Sequence, residues 1–529
     1  MSIPTPESLH IPHPTWRPHQ YESALWANDI EDIGIIQAAT GSGKSVFPAY
    51  LSQFQRTVVL TRTKSLQHQY EFYKAFVIMG RGNYKCVHPD GDYCDECLYA
   101  EEGMNRCPYS GECIYLSKKY ASLGHQFPSA NYALWLSSPA FREGRRPIDI
   151  VVLDECHLLS DTTLEWAGAT INEQDRREYD LPPFHRIASA NLEGVNSALA
   201  WLEDAQIKAH NNWVALKKGS NSDDKVIKIK LRKLERIGIK IKITKESLQH
   251  CPADWFIRSG PGVCYRRGPL PGIRIRPLTA RYSFPRFFMG DHKALLMSAT
   301  VGDFGTFAAE LGISSSSTLR VPSNFPPSTR PVYILDSPPL GYKSTEEAFE
   351  KQADAIADAI KMCPPHWSGM IHVTRKDEAP KLATRLAHLG LSGRLWTPPL
   401  KIGRRFAGTR EQMAEWARHK KSVPNAIFIG WQAWEGYDGT EEKINIVAKC
   451  PYPSTASAYE KQRRQYSPQM YRQRTAWALQ QALGRTRRGR DEDYDTEEEI
   501  RGFVAIADGN YKHVVSYLDT DFQESLVKI

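Results

Sequence analysis

Short apolar runs that end at small or acidic residues predict buried strands at several points of this chain. One run closes with Ile35 and Ile36 before a glycine-rich stretch, and another spans Ile150 to Leu153 before an acidic pair. Continuous apolar runs are typical of parallel strands that are covered on both faces. Further along, "SGMIHVTRKDEAPKLATRL" follows the order strand, turn, helix, and "AIFIGW" begins with a similar strand. The pattern predicts an α/β protein with parallel sheets.

The middle of the chain shows a different period. Four apolar residues recur at helical spacing: Leu192, Val195, Leu199 and Leu202. After the break "GSNSDD", the stretch from Lys225 to Lys245 holds nine Lys or Arg residues and one acid, Glu235. We expect a helical hairpin here, although "KVIKIKLRKL" also alternates with the period of a strand. The basic run is either a contact for nucleic-acid phosphates or a solvated face.

At 529 residues the chain is too long for one hydrophobic core, and its composition (41% hydrophobic, 24% charged) is ordinary for a globular protein. No apolar run reaches the roughly 18 residues that a membrane helix needs. The first residues lack the basic and apolar regions of a secretory signal. We therefore expect a cytoplasmic protein that has no membrane partner. The net charge of +8 is compatible with a polyanionic partner.

The glycine-rich stretch resembles the end of a phosphate-binding P-loop, with Ala38 in the place of the usual first glycine. Its members are Thr40, Gly41, Ser42, Gly43, Lys44 and Ser45. Glycines let backbone N–H groups turn inward around the phosphates of ATP. Lys44 is expected to reach the β- and γ-phosphates, and the Ser45 hydroxyl to ligate Mg²⁺.

The acidic pair Asp154 and Glu155 follows a predicted strand, at the edge where a parallel sheet presents its ligand crevice. Asp154 is expected to hold Mg²⁺ through water, and Glu155 to orient and deprotonate the attacking water. Taken alone, such a pair is more typical of a solvated loop or a helix N-cap. Its position downstream of a P-loop favours the catalytic interpretation.

Five of the ten cysteines lie in one short stretch: Cys86, Cys94, Cys97, Cys107 and Cys113. In a reducing compartment, clustered thiols hold metal more often than they form disulfides. Cys94 and Cys97 have the spacing of a zinc knuckle, but no second knuckle follows. Iron–sulfur clusters tolerate such irregular spacing. The spacing leaves an iron–sulfur cluster, zinc and no metal open, with the cluster favoured.

Several stretches resemble, in chain order, the motifs of superfamily 2 helicases. They are "RPHQ" (similar to the adenine-reading Q motif), "TRTKSLQHQY" (motif Ia), "DECH" (the DEAH/DEAD box), "LLMSAT" (the SAT motif), "WEGYDG" (motif V) and "QALGRTRR" (motif VI). The resemblance covers nearly the whole chain and implies two tandem RecA-like domains with ATP between them. It implies nucleotide contacts by four residues of these motifs: Arg17, Gln20, Asp438 and Gln481.

Two arginines of the motif VI stretch, Arg485 and Arg488, lie three residues apart and hence on one face of a helix. Without its context, "GRTRRGR" would suggest a basic surface patch. Within a motif VI, the two side chains are expected to be arginine fingers. They would reach from the second domain and neutralise charge that develops on the γ-phosphate.

The flanks of the cysteine stretch, "GRGNYKC", "CPYSGEC" and "SANYALWL", resemble the cluster segment of the XPD/DinG-like branch of iron–sulfur helicases. The resemblance implies a [4Fe–4S] cluster. Its ligands would be Cys86, Cys107, Cys113 and one of Cys94 and Cys97, of which Cys97 is preferred. The resemblance also implies 5′ to 3′ movement on single-stranded DNA, and the chain looks closest to compact, phage-encoded members.

More than a hundred residues separate Lys44 from Asp154, and again Asp154 from Ser298, so each gap is expected to hold a folded insertion. The expected first RecA-like domain comprises residues 1–76, 130–160 and 251–325. A cysteine-rich insertion is expected at 77–129, a mainly helical arch at 161–250, and the second RecA-like domain at 326–529.

These features together predict a monomeric ATP-dependent DNA helicase. It would use ATP, Mg²⁺ and a [4Fe–4S] cluster to unwind forked or duplex DNA while it moves along a single strand. An ATP-driven translocase without processive unwinding would carry the same motifs. A DNA-binding scaffold with vestigial ATPase residues would not need Lys44, Glu155 and Arg485 intact.

Overall fold

The computed structural model describes most of the chain. The described ranges are 3–39, 41–89, 93–97, 107–138, 141, 146–184, 191–218, 225–265, 269–323, 327–341, 344–399, 401–402, 405–406, 409–431, 442–484 and 502–529. Four residues predicted for the nucleotide site lie outside them: Thr40, Asp438, Arg485 and Arg488. Their roles stay predictions.

The β-strands are numbered in chain order. They are β1 (Ile33–Ala38), β2 (Thr57–Thr61), β3 (Phe76–Val77), β4 (Pro128–Asn131), β5 (Ile150–Asp154), β6 (Ala169–Asn172), β7 (Trp255–Tyr265), β8 (Pro269–Pro277), β9 (Lys293–Ser298), β10 (Ser317–Val321), β11 (Val332–Ile334), β12 (Gly369–Val373), β13 (Leu395–Trp396), β14 (Lys401–Ile402), β15 (Arg405–Phe406), β16 (Ile427–Trp431), β17 (Ile444–Val447), β18 (Phe503–Ile506) and β19 (Leu526–Lys528).

The α-helices are numbered in the same way. They are α1 (Gln20–Asn28), α2 (Val46–Leu51), α3 (Lys64–Gln69), α4 (Ile114–Gly124), α5 (Tyr132–Ser137), α6 (Leu159–Ala167), α7 (Glu173–Glu178), α8 (Leu192–Lys218), α9 (Lys225–His250), α10 (Ser283–Phe288), α11 (Phe304–Leu311), α12 (Glu346–Met362), α13 (Glu378–Leu386), α14 (Thr409–Ser422), α15 (Ala458–Tyr466), α16 (Pro468–Leu483) and α17 (Thr520–Glu524).

The first sheet is parallel and is covered on both faces. In the described ranges its strand order is β10-β1-β9-β5-β2-β4-β3. Ile35 packs in one core with Val151, and its neighbour Ile36 packs in another with Val152. Because successive strand side chains point to opposite faces, the two cores lie on opposite sides of the sheet. The runs of β1 and β5 are continuously apolar because both faces of these strands are buried.

The register of this sheet places three loops at one edge. Gln37 of β1 is paired with Ser298 of β9, and Asp154 of β5 is paired with Met297. Since the strands are parallel, their carboxyl ends meet at the same edge. The P-loop, the acidic pair and the "SAT" segment are brought together there.

The second sheet is also parallel, and the described residues give it the order β13-β16-β12-β17-β18-β11-β19. Ile356 and Leu382, from α12 and α13, pack in one core. Leu479 and Leu483, from α16, pack in a second core with strand residues of the same sheet. The predicted succession of strand, turn and helix is confirmed as β12 followed by α13.

The stretch between β5 and β9 contains a separate unit. Helices α8 and α9 pack against each other and against a small antiparallel sheet with the order β6-β8-β7. Trp201, Leu248, Ile257 and Ile275 share its core. The helical interpretation of Lys225–Lys245 is confirmed, and the strand alternative is wrong.

The cysteine segment, residues 81–113, lies between β3 and β4 of the first sheet. Its described residues form three-residue 3₁₀ turns at Arg81–Asn83, Cys94–Glu96 and Ser110–Glu112, and one isolated bridge joins Lys85 to Tyr93. In the ranges described, no helix combines the length and the apolar character needed to cross a membrane.

Candidate nucleotide site and cysteine segment

The P-loop is held by the segment that precedes α1. Arg17 donates from Nη1 to the carbonyl of Gly41 (2.5 Å), and Gln20 donates from Nε2 to the carbonyl of Gly43 (3.1 Å). The backbone N–H of Arg17 donates to Gln20 Oε1 (3.0 Å), which orients the amide. Gly41 and Gly43 have φ of 90° and 78°, in the left-handed region that favours glycine. A Cβ on Gly43 would lie 2.3 Å from Gln20 Nε2. The "RPHQ" segment therefore shapes the loop directly.

Ser45 and Asp154, the two predicted Mg²⁺ ligands, contact adjacent residues of one segment. Tyr70 donates to Asp154 Oδ2 (2.9 Å), and Gln69 donates from Nε2 to Ser45 Oγ (3.4 Å). Tyr132 donates to the Asp154 carbonyl (2.5 Å). A hydroxyl and a carboxylate at this spot supply the oxygen donors that Mg²⁺ prefers. The residues present fit the ion.

Glu155 lies at the centre of a chain of polar contacts. Its backbone has φ of 55°, in the left-handed region, and its N–H donates to Asp154 Oδ1 (2.9 Å). Lys44 Nζ lies 2.9 Å from Glu155 Oε1. On the other side, Ser298 donates from Oγ to Glu155 Oε2 (3.3 Å). Lys44 and Glu155, the residues predicted to bind phosphate and to activate water, are thus in contact.

The same chain continues to the second domain through His157. Its Nδ1 lies 2.8 Å from Ser298 Oγ, and its Nε2 lies 2.7 Å from Gln481 Nε2. An amide nitrogen only donates, so His157 Nε2 is the acceptor and Nδ1 carries the proton. Every hydrogen bond then has one direction, from Gln481 to His157, to Ser298 and to Glu155. We call this series of contacts, with Lys44 at its far end, the polar relay.

Burial and neighbouring charges shift the pKa values of Asp154, Glu155 and His157 in different directions. Burial raises the pKa of Asp154 to about 6, against the opposing effect of Lys44. Burial also works to raise the pKa of Glu155, but Lys44 and His157 outweigh it and lower the pKa. Burial lowers the pKa of His157 to about 4. At neutral pH, Glu155 is a carboxylate and His157 is neutral, which is the state that the polar relay requires.

Three residues clamp the segment that follows "SAT". Gln37 Oε1 accepts from the N–H groups of Val301 (3.0 Å) and Gly302 (2.7 Å). From α16, Gln473 Nε2 and Trp477 Nε1 donate to the Val301 carbonyl (3.0 and 2.9 Å). A movement of this segment would change hydrogen bonds to both domains, to Gln37 of the first and to α16 of the second.

The cysteine segment brings two sulfurs into contact. Cys94 Sγ lies 4.0 Å from Cys113 Sγ, and Cys94 is fully buried. Burial raises the pKa of the Cys94 thiol to about 12, and the nearby Cys113, Cys86 and Cys97 raise it further. Cys107 is buried as well. Among the described side chains, no three Cys, His, Asp or Glu groups converge closely enough to form a metal site. The donor chemistry fits a thiophilic metal, and the pair Cys94 and Cys113 is the part of that set in contact.

Sequence reasoning missed several residues of the nucleotide site: Gln37, Tyr70, Tyr132, His157, Gln473 and Trp477. For Gln37 a signal exists, because a polar residue interrupts the apolar run of β1. His157 lies within the "DECH" stretch that was recognised. Tyr70 ends the stretch "TRTKSLQHQY" and Tyr132 lies in "SANYALWL", so both belong to stretches with a recognised resemblance. Gln473 and Trp477 come from α16, and nothing in their local pattern indicates a role.

No family model matches this chain. A probable ATP-dependent helicase from Methanocaldococcus jannaschii is 25% identical over 179 residues, which cover 26% of this chain and 27% of that protein. The match therefore spans about a quarter of the length of the curated relative.

Solved structures of XPD helicases resemble the whole chain. One is similar with a TM-score of 0.53 at 14% identity, over 96% of this chain and 97% of that chain. An XPD protein from S. tokodaii is similar with a TM-score of 0.52 at 12% identity, over 97% and 100% of the two chains. Such a likeness shows the fold. The predicted α/β architecture of two tandem RecA-like domains is confirmed.

Proposed function

We propose that this chain is an ATP-dependent DNA helicase that moves along single-stranded DNA, from 5′ to 3′, and unwinds duplex or forked DNA in the cytoplasm as a monomer. The observation that carries the proposal is the polar relay. It joins a phosphate-binding lysine and a carboxylate of the first domain to Gln481 of the second domain. Such a connection lets the state of the nucleotide be sensed in both domains at once.

The residues of the cleft have distinct roles in the proposed reaction. Backbone groups of Gly41, Ser42 and Gly43 bind the phosphates of ATP, and Arg17 and Gln20 hold that loop in shape. Ser45 and Asp154 would hold Mg²⁺, which neutralises phosphate charge. Asp438 would add a nucleotide contact from the second domain.

Hydrolysis itself depends on the Lys44–Glu155 contact. When ATP binds, Lys44 moves from Glu155 to the β- and γ-phosphates, and the released carboxylate accepts a proton from the attacking water. Arg485 and Arg488 would stabilise the charge that develops in the transition state. The freed Glu155 changes its hydrogen bond to Ser298, and the relay passes that change to Gln481.

The cysteine segment is proposed to hold a [4Fe–4S] cluster through Cys86, Cys107, Cys113 and a fourth thiolate. The contact between Cys94 and Cys113 supports Cys94 as that fourth ligand, in preference to Cys97, which the sequence favoured. When bound, the cluster would cross-link a segment whose described residues form only short turns and one bridge. Four exposed basic residues of α9 support a role of the arch in binding DNA phosphates: Lys230, Lys233, Arg236 and Lys242.

Glu155→Gln tests the proposal, because it removes the base and keeps the size of the side chain. We expect ATP hydrolysis and duplex unwinding to fall together by about 10²- to 10³-fold, while ATP binding is retained. Glu31→Gln, an exposed substitution in the same domain, is the matched control and should leave both rates unchanged. A wild-type protein that hydrolyses ATP and strips proteins from DNA, but separates no strands, would support the translocase instead.

A further inference from the structure

A buried arginine of the second domain crosses to the first domain at a distance from the nucleotide. Arg463 lies in α15 and is 5% exposed. Its guanidinium donates to Asp161 Oδ1 (2.5 Å) and Ser160 Oγ (3.0 Å), and it lies 3.5 Å from Glu310 Oε1. A bidentate arginine fork is suited to holding two acceptors in one geometry. Arg463 therefore connects two acidic residues of the first domain.

These acceptors belong to the two helices that leave the nucleotide edge. Ser160 and Asp161 lie in the first turn of α6, which begins two residues after His157. Glu310 lies in the last turn of α11, which follows the clamped segment after "SAT". Ser160 also donates from Oγ to Glu310 Oε1 (2.5 Å). A displacement at the "DECH" segment would therefore reach Arg463 through α6, and one at the "SAT" segment would reach it through α11.

Other contacts hold the arginine and its partner in place. Arg474 of α16 lies 3.4 Å from Asp161 Oδ2 and 3.1 Å from Glu460 Oε2. Burial disfavours the charge on Asp161, but Arg463 and Arg474 outweigh it and hold the pKa well below its usual range. Thr279 donates to Glu310 Oε2 (3.2 Å). We call the group formed by Ser160, Asp161, Glu310, Arg463 and Arg474 the ionic junction.

Helix α16 connects the ionic junction to the polar relay. Arg474 of this helix is part of the junction, Gln473 and Trp477 clamp the Val301 carbonyl, and Gln481 contacts His157. The second domain thus contacts the two nucleotide-responsive segments through one helix at several points. The ionic junction contains a buried pair of opposite charges, Arg463 and Glu310, so its geometry is restrictive.

We propose that Arg463 is a positioning residue that couples ATP turnover to movement of the second domain. It keeps α6 and α11 fixed to α15 through the cycle, so that a change at the nucleotide edge turns the second domain about the ionic junction. This inference rests on the proposed helicase function and adds to it a residue, Arg463, that converts ATP hydrolysis into movement of the second domain. Arg463 does not touch the nucleotide, so its loss should spare the binding of ATP.

The effect of a substitution follows from the charges. Methionine at this position removes the cation and leaves Asp161 and Glu310 facing each other with Arg474 as the remaining partner. Lysine keeps one positive charge, but a point charge does not reach both acceptors in the way that a guanidinium fork does. Arg463→Lys should therefore lie between the wild type and Arg463→Met.

The experiment measures the number of ATP molecules hydrolysed for each base pair unwound, together with kcat and KM for ATP. In Arg463→Met we expect the KM for ATP to stay within about twofold, while the ATP used for each base pair rises by about tenfold. Arg463→Lys should give a smaller rise. Lys461→Met, which removes an exposed cation from the same helix, is the control and should match the wild type.

Two results would overturn the inference. One is an unchanged ratio of ATP to base pairs in Arg463→Met, and the other is a proportional loss of hydrolysis and unwinding in both Arg463 variants, which indicates a merely structural role. If Arg463→Met does not fold, Arg463→Lys and Asp161→Asn provide the same ratio. Failure of the proposed function is visible separately, since the wild type itself would then hydrolyse ATP without unwinding DNA.

Discussion

The nucleotide site and the cysteine segment are both expected to bind a charged group, but they obtain their geometry in different ways. In the nucleotide site, Gln37, Asp154 and Ser298 lie at the ends of buried, hydrogen-bonded strands whose register fixes their spacing. In the cysteine segment, the described residues form three-residue turns and an isolated bridge. The first site is organised before its ligand arrives, whereas we expect the proposed cluster to organise the second.

The hydrogen bonds of the two regions show the same contrast. Each polar group of the relay has a defined partner, and the chain of contacts runs through five residues. In the cysteine segment, the Cys94 sulfur donates to the Lys85 carbonyl (3.4 Å) and contacts Cys113. Thiols are weak hydrogen-bonding groups, so these contacts contribute little stability without a metal.

Removal of the metal should separate the two regions most clearly. We expect that stripping the proposed cluster with a chelator and an oxidant, or the substitution Cys113→Ser, raises the rate of proteolytic cleavage within residues 81–113 by at least about tenfold. Binding of a fluorescent ATP analogue should change little, because the P-loop is supported by the first sheet. Limited proteolysis and nucleotide titration of the same samples measure both effects.

The matched control is Cys251→Ser, which removes a partly exposed cysteine outside the segment. It should keep the wild-type cleavage rate. Equal protection of the segment with and without metal would contradict the view that it is organised by its ligand.

The fourth ligand provides a sharper test within the cysteine segment. If Cys94 is the ligand, Cys94→Ser should lose most of its iron and acid-labile sulfide. Cys97→Ser should then keep about four irons per chain. The physical reason is that Cys94 is buried against Cys113, whereas Cys97 is partly exposed. Metal and sulfide analysis of anaerobically purified protein checks the assignment.

The reverse result, iron retained in Cys94→Ser and lost in Cys97→Ser, would restore the preference drawn from the sequence. One zinc without sulfide in the wild type would reject the cluster. It would leave the nucleotide site unaffected.

Sequence and structure agree best where function follows a buried strand. The P-loop and the acidic pair were predicted from residue patterns that follow apolar runs, and "SAT" from its resemblance to a helicase motif; parallel strands bring such ends together. The contacts of Tyr70 and Tyr132 with Asp154 were not predicted, although both tyrosines lie in stretches with a recognised resemblance, since each contact joins residues that are far apart in the chain. Arg463 was missed for the same reason, because its partner Asp161 is distant in the chain and belongs to the other domain.

The cysteine segment shows where local reasoning reaches its limit. Spacing favoured a metal site without settling it, and the neighbouring residues suggested three ligands. The choice between Cys94 and Cys97 depends on which sulfur faces the others. That direction is set by a short 3₁₀ turn whose sequence does not determine it.

The smallest expected effect is a loss of stability on acidification, which arises in the nucleotide site through His157. Burial lowers the pKa of His157 from 6.5 to about 4 in the folded protein. Between these values the unfolded chain takes up a proton that the folded chain does not, so stability contributed by the neutral histidine is present above pH 6.5 and is lost as the pH falls toward 4. The shift corresponds to about 3 kcal/mol of unfolding free energy at most.

His157→Gln should reduce this dependence, since glutamine does not titrate and still offers an acceptor and a donor to Gln481 and Ser298. Between pH 7 and pH 4.5, we expect the unfolding midpoint of the wild type to fall more than that of His157→Gln. Both proteins carry the same cysteine segment, so release of metal by acid cancels in that difference. An equal pH dependence of the two midpoints would show that His157 is not held neutral by its burial, and the single direction assigned to the polar relay would then be wrong.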